Sequence, residues 1–333
     1  MAHRTSLAIL ICTYNNARLL ERTLDALRRQ RVAPSVDWRV VVIDNNCTDD
    51  TPAVVDRFRP LFDVPLTRVP EPRQGLTPAR ARGVLSTQSD WLAFVDDDCL
   101  LADDWIDQAA IFASEHPECG AFSGKVILEW EDADPPAYTD GYGWAYAETD
   151  LGDRPLRRDW LAGAGMVLRR TTLAQSGWID RQLLDDRIGK RLISGGDVEI
   201  GLRIARIAEV WYNPACRLRH LIPADRTTRR YLRRMIFGLG ASGHNTGALT
   251  WTGTYPGWLV RSTVQSMRLF GQELRRLVGD VYHRRPGRDI GIALGFVAGW
   301  WWAMWQMLFM SRLARRRLLG GILAAPASRS VRV

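Results

Sequence analysis

Along the first hundred residues, four short apolar runs alternate with stretches in which apolar positions recur every three or four residues. The run 7–12 ends in Thr13-Tyr14-Asn15-Asn16, and Leu19, Leu20, Thr23, Leu24 and Leu27 follow at helical spacing. A strand that feeds a helix is the pattern, with Asn15 or Asn16 placed to cap the helix. The run 38–43 stops at Asp44-Asn45-Asn46, and Thr51-Pro52 opens a second helix with proline at its first position. A third strand is expected at 64–69, a helix at 76–86 and a fourth strand at 91–95. That last strand runs into Asp96-Asp97-Asp98, with Asp103 or Asp104 available to cap the next helix.

Strands alternating with helices predict an α/β domain around a mostly parallel central sheet. Three of the strands end in polar clusters: Thr13-Tyr14-Asn15, Asp44-Asn45-Asn46 and Asp96-Asp97-Asp98. Ligands of open α/β sheets bind beyond the carboxyl ends of the strands, so these clusters mark the edge where a ligand is expected. From 129 to 159 the periodicity fades into a proline-, glycine- and aromatic-rich stretch that reads as a long ordered substrate loop. Regularity returns at 161–170, and a helix is expected at 197–208. A catalytic domain over 1–224 and a helical extension over 225–333 follow from the change in pattern.

Charge sharpens that division. The chain carries +8 overall, but 221–333 holds 18 Lys/Arg against 4 Asp/Glu, whereas 1–220 is net acidic. A basic end suits an anionic membrane, a phosphate-bearing substrate or nucleic acid. Hydrophobic residues at 46% and charged residues at 25% exclude a disordered chain. The five cysteines, Cys12, Cys47, Cys99, Cys119 and Cys216, show no metal-knuckle spacing and read as reduced thiols of a cytoplasmic protein. The run at 7–12 is too short for a signal segment.

Phe94-Val95-Asp96-Asp97-Asp98 carries the sharpest chemistry. Adjacent carboxylates at a strand end repel one another unless a cation compensates them. Mg2+ or Mn2+ binds through one or two carboxylates together with substrate phosphates. A solvated acidic turn is the plainer reading of the same residues. No G-x-G-x-x-G follows the first strand and no Walker loop is present, which excludes the usual dinucleotide oxidoreductases and P-loop enzymes.

These segments, in order, resemble the family 2 glycosyltransferases of the GT-A fold. The matching pieces begin with Ile9-Leu10-Ile11-Cys12-Thr13-Tyr14-Asn15, Val42-Ile43-Asp44-Asn45-Asn46-Cys47-Thr48-Asp49 and Arg73-Gln74-Gly75 with Ala79-Arg80 and Gly83. They continue with Phe94 to Asp98, Gly163-Ala164-Gly165 and Gly196-Asp197-Val198-Glu199 with Leu202-Arg203. The resemblance spans about residues 5–235. It implies that Thr13, Tyr14 and Asn15 contact the donor nucleotide, Asp44 its base, and Arg73 the base edge or phosphates. Asp96 then lies nearest the ribose, Asp97 beside it, and Asp98 on the metal. Arg80 is expected to be a solvated helix arginine. Asp197 is implied as the base that deprotonates the acceptor hydroxyl, in a single displacement with inversion. The family has a Glu-Asp pair there; Gly196 replaces the Glu, and Glu199 is the alternative base. His220 is implied at the metal or diphosphate end, and Trp160 is placed to stack on a sugar.

In the basic end, Arg226, Arg229, Arg230, Arg233 and Arg234 recur along a helix, and 290–310 is an apolar, tryptophan-rich stretch. Arginines on both flanks, Arg284, Arg285 and Arg288 before and Arg312, Arg315, Arg316 and Arg317 after, oppose a single span. The expectation is a helix or hairpin lying in the cytosolic leaflet, peripheral or monotopic on the inner face of the cell membrane. A span and a helix docked on the protein's own core are the alternatives. The expected reaction uses a nucleotide-diphospho-sugar donor, UDP-linked by preference, and a glycan or lipid-linked acceptor in cell-surface polysaccharide or glycolipid synthesis. No nucleic acid is expected as a partner. The competing reading is a noncatalytic, membrane-associated nucleotide-sugar-binding or scaffold protein.

Overall fold

The structure, a computed structural model, describes residues 5–132, 134–189, 192–283 and 289–323. Arg284, Arg285, Arg288 and the tail 324–333 lie outside the described residues. The strands are β1 (Thr5–Thr13), β2 (Val36–Asp44), β3 (Leu66–Pro70), β4 (Trp91–Phe94), β5 (Cys99–Leu101), β6 (Cys119–Trp130), β7 (Leu156–Arg157), β8 (Met166–Arg169) and β9 (Glu209–Ile222). The helices between them are α1 (Ala17–Arg28), α2 (Thr51–Phe58), α3 (Leu76–Leu85), α4 (Trp105–Glu115), α5 (Arg170–Gln175) and α6 (Gly196–Ile204). The carboxyl-terminal layer holds α7 (Arg229–Leu249), α8 (Tyr255–Tyr282), α9 (Ile290–Ala293), α10 (Gly295–Phe309) and α11 (Arg312–Leu318).

All the strands form one sheet in the order β3-β2-β1-β4-β8-β6-β9-β5, with β7 added on β9. The run β3-β2-β1-β4 is parallel, as the alternating pattern predicts. Beyond it β8 is antiparallel to both its neighbours, β6 and β9 pair in parallel, and β5 and β7 run antiparallel to β9. Alternate β1 residues serve the two faces of the sheet. Leu7, Ile9 and Ile11 pack with residues of α1, α2 and α4, while Ala8 and Leu10 pack with residues of α3 and α6 and with Trp178.

The described residues of 129–159 form an ordered loop, as expected. β6 extends to Trp130, and two single 3-10 turns, Ala137–Thr139 and Gly143–Tyr146, follow. Tyr142 and Tyr146 are buried against Ile222, Leu232, Met235, Ile236 and Ile292. The phenols of Tyr138 and Tyr146 donate to the carbonyls of Thr227 (2.8 Å) and Arg226 (3.0 Å). The loop is thereby tied to the turn before α7 and packed against that helix.

Ile290–Phe309 is long and apolar enough to cross a membrane, yet 44% of its most apolar stretch is buried on the rest of the chain. It is built as α9 and α10, and α10 packs backbone to backbone against α7 through glycines. A methyl carbon on Gly240 would fall 2.0 Å from the Phe296 carbonyl oxygen, and one on Gly299 would fall 1.9 Å from that of Phe237. One side of α10 is therefore docked on the protein's own core, while Trp301, Trp302, Trp305, Leu308 and Phe309 are exposed.

Candidate active site

The parallel register brings the strand ends together. Thr13 lies opposite Asp44, and the Thr13 carbonyl accepts from the Asn45 amide at 3.0 Å. Asn15 adopts a left-handed backbone (φ 51°), which asparagine tolerates better than most residues. Its side chain grips Thr48, with Oδ1 accepting from the Thr48 amide at 2.7 Å. Tyr14 remains 43% exposed at the mouth of the site. The side chain of Asn16 does not cap α1. Its Nδ2 donates to Asp97 Oδ1 at 2.7 Å, and Asp49 Oδ2 takes the Ala17 amide instead.

Asn45, which the sequence reading did not single out, braces the neighbouring loop. Its Nδ2 donates to the carbonyls of Glu71 (3.0 Å) and Arg73 (2.7 Å), and its Oδ1 accepts from the Gly75 amide (2.8 Å). A buried amide that satisfies three backbone groups at once fixes the loop leading into α3.

β5 carries the triad back across the sheet. Cys99 pairs with His220 in β9, which sets His220 Nε2 3.2 Å from Asp98 Oδ1. His220 Nδ1 lies 2.7 Å from the Tyr146 carbonyl, and a carbonyl can only accept, so Nδ1 bears a proton. Nε2 then faces a carboxylate oxygen, an arrangement that requires a proton or another cation between them. Arg226 Nη1 donates to the other oxygen, Asp98 Oδ2, at 2.6 Å. Burial alone would raise Asp98, but the His220 and Arg226 cations hold it well below the usual carboxylate range. Burial and the charge of Asp98 push Asp96 and Asp97 upward. Burial likewise raises the Cys99 thiol far above its ordinary value, so among the clustered Asp98, Cys99 and His220 the thiol is a poor metal ligand.

Asp197 stands across the cavity in the first turn of α6. Gly163 makes room for it: a methyl carbon there would lie 2.7 Å from Asp197 Oδ2 and 3.4 Å from Arg80 Nη2. Arg80 is not a solvated helix arginine, because α3 turns it inward beneath the triad. It is 3% exposed and donates to Asp186 Oδ2 at 2.8 Å. Burial would lower the guanidinium, but Asp186, Asp197 and Asp96 together raise it. Asp186, in an irregular stretch with no helical or strand pattern, was also missed by the sequence reading. Glu199 is separated from this chemistry. It is fully buried, accepts from the amides of Leu183 and Leu184 and pairs with Arg203 at 2.8 Å. That corrects its standing as an alternative base.

The triad, His220, Arg226, Arg80, Asp186 and Asp197 line one cavity of about 1020 Å³. Of the residues expected at the site, Thr13, Tyr14, Asn15, Asp96, Asp97, Asp98, Asp197 and His220 line it, and so does Trp160. Asp44 and Arg73 do not. Both oxygens of Asp44 are engaged, one by the Cys47 amide (2.9 Å) and one by Arg68 (2.7 Å). The Arg73 side chain is 73% exposed and turned onto Glu71. The far wall belongs to the extension: Tyr231, Arg234, Met235 and Leu239 present one face of α7 to the cavity.

Residues 8–146 match the family described as Glycosyl transferase family 2. A glucosyl-dolichyl phosphate glucuronosyltransferase of Haloferax volcanii is 24% identical over 241 residues, 71% of this chain and 75% of that protein. A PGL/p-HBAD biosynthesis glycosyltransferase of Mycobacterium bovis is 32% identical over 122 residues, covering 36% of this chain and 46% of that protein. Among solved structures, the mannosyltransferase PcManGT of Pyrobaculum calidifontis, in complex with GDP-Man and Mn2+, superposes with a TM-score of 0.58 at 18% identity. That match covers 92% of this chain and 88% of the other. GalNAc-T7 with UDP, GalNAc and Mn2+ gives 0.51 at 14% identity, covering 74% and 51%. The fold is GT-A.

Proposed function

We propose that this chain, a member of the family 2 glycosyltransferases, moves a sugar with inversion from a nucleotide-diphosphate donor to a lipid-linked acceptor hydroxyl. The observation that carries this reading is the facing of Asp98 and His220, 3.2 Å apart beyond the carboxyl ends of the parallel strands. The donor base and ribose are assigned to Thr13, Tyr14, Asn15 and Asp96, with Asp97 beside them. A UDP-linked donor is the preferred reading, and the Mn2+ complexes of the two structural neighbours lend it a divalent cation.

The residues present fit Mg2+ or Mn2+. Asp98 offers a carboxylate, and His220 holds its Nδ1 proton on the Tyr146 carbonyl, so that Nε2 would face the ion once it gives up its own proton. Such an ion, when bound, supplies Lewis-acid stabilisation of the departing diphosphate. Arg226 stands ready to share that charge. Asp197 takes the proton from the acceptor hydroxyl as its oxygen attacks the anomeric carbon, and the bond from that carbon to the diphosphate oxygen breaks. Arg80, held by Asp186, fixes the charge around Asp197.

We assign residues 1–224 to catalysis and 225–333 to membrane attachment, with α7 shared by the cavity. The two named relatives concern a glucosyl-dolichyl phosphate and PGL/p-HBAD biosynthesis, which favours a lipid-linked acceptor, and the proposed location is the cytosolic face of the membrane. The exposed tryptophans of α10 suit a membrane interface. The test is product stereochemistry by NMR with the cognate donor. An inverted anomeric centre, lost together with turnover in Asp197→Asn while donor binding persists, supports the assignment. Retention of configuration, or an active Asp197→Asn, contradicts it.

A further inference from the structure

α8 turns a line of apolar side chains away from the protein. The side packed on the protein is mixed: Trp258, Ser262, Ser266 and Asp280 are buried, and Ser262 accepts from Trp300 Nε1 at 2.9 Å. The outward side is apolar. Val260, Val264, Met267, Phe270, Leu274 and Val278 recur at steps of three or four and are between 38% and 66% exposed. Nothing in the catalytic reading uses this line of side chains, and the sequence reading did not single it out. The solvent-facing side of a helix is ordinarily polar.

The line continues onto α10. Phe270 stacks on Trp301, with ring centroids 6.3 Å apart and planes inclined by 28°. Trp305 and Phe309 extend the patch, 58% and 73% exposed. Contiguous exposed apolar surface of this extent marks an interaction site.

The charges beside it select the partner. Arg261, Arg268, Arg275 and Arg276 are all exposed along α8. Its two acids are withdrawn: Arg276 covers Glu273, and Asp280 is buried. A second copy seated on this face would bring two rows of arginines together. An anionic lipid surface meets both features at once, with acyl chains for the apolar line and headgroups for the guanidinium groups.

We infer that α8 lies in the plane of an anionic bilayer, with its Val260-to-Val278 line and the Trp301–Trp305 face of α10 sunk among the lipids. A helix of this length covers about 42 Å of membrane at 1.5 Å per residue. The inference deepens the membrane attachment proposed above and is independent of which donor the cavity takes.

The test is flotation of the full chain with vesicles of phosphatidylcholine alone or with phosphatidylglycerol, for wild type and for Val264→Glu/Met267→Glu. Calorimetric nucleotide binding reports whether the variant is folded. The expected result is flotation with anionic vesicles, at least tenfold weaker with neutral ones, and at least tenfold weaker again for the variant with nucleotide binding unchanged. If a lipid-free dimer is abolished by the same substitutions, a second copy is the occupant and the inference fails. It fails equally if the folded variant floats like wild type, or if neutral vesicles serve as well as anionic ones. Should nucleotide binding be absent from wild type, the donor reading falls while the flotation result stands on its own. If the double variant does not fold, Arg268→Glu/Arg275→Glu on the rim replaces it, with the same expected loss on anionic vesicles.

Discussion

The Asp186 carboxylate occupies the space that a side chain at position 196 would fill. A methyl carbon on Gly196 would lie 3.0 Å from Asp186 Oδ2 and 3.2 Å from Arg80 Nη1. The glycine that departs from the Glu-Asp pattern is therefore matched by an acid arriving from elsewhere in the chain. Asp186→Gly leaves Arg80 buried without its partner and is expected to destabilise the fold by about 3–5 kcal/mol. Gly196→Glu alone crowds Asp186 and loses turnover. The double variant moves the carboxylate rather than removing it, and is expected to recover most of the stability and part of the turnover. Thermal melts and a transfer assay on the three variants check this; a double variant no better than the worse single one contradicts it.

Asn45→Ala is expected to harm donor binding more than Arg73→Ala, although Arg73 was the residue expected to touch the nucleotide. Removing the Asn45 amide leaves three backbone groups of the 71–75 loop without partners, at about 1–3 kcal/mol for each group that stays buried. Arg73 lies outside the cavity and is 73% exposed. Parallel titrations of nucleotide into the two variants decide the order.

His220→Asn is expected to weaken cation-dependent nucleotide binding at least tenfold. Tyr146 offers only its main-chain carbonyl to His220, so Tyr146→Phe should preserve that contact and leave the cation dependence near wild type. Titration of Mn2+ in the presence of nucleotide separates the two variants.

The carboxyl-terminal layer carries an acid-labile point. His244 is fully buried, accepts from Trp258 Nε1 at 3.2 Å, and burial lowers it to about 4. A histidine whose folded value is depressed takes up its proton more readily in the unfolded chain. Its contribution is complete above about pH 6.5 and is lost as pH falls toward 4, by up to about 3 kcal/mol. Chemical denaturation between pH 7 and pH 4 should show that loss, and His244→Gln should flatten it.

Much of the site was legible because strand ends are written locally. An apolar run closed by Thr13-Tyr14-Asn15 or by the aspartate triad shows both the strand and the edge it points to. His220 could be placed from sequence only through the resemblance, since its meeting with Asp98 depends on β5 folding back to pair with β9. Arg80 and Asp186 were misjudged or missed because burial is a tertiary property: an arginine on a helix and an aspartate in an irregular stretch look solvated until the sheet and α6 close over them. The antiparallel half of the sheet was hidden for a similar reason, as β8 reaches its place between β4 and β6 by contacts distant in sequence. The outward apolar line of α8 does recur at helical spacing, but spacing alone does not say which side of a helix faces the protein.

The central claim is a cation-dependent donor site built on Asp98. Calorimetric titration of UDP, GDP and TDP, each with and without Mn2+, into wild type and Asp98→Ala tests it most directly. The expected result is one nucleotide bound tightly only when Mn2+ is present, and at least a hundredfold more weakly by Asp98→Ala. Binding of all three unaffected by Mn2+, or an Asp98→Ala chain that binds as wild type does, would contradict it.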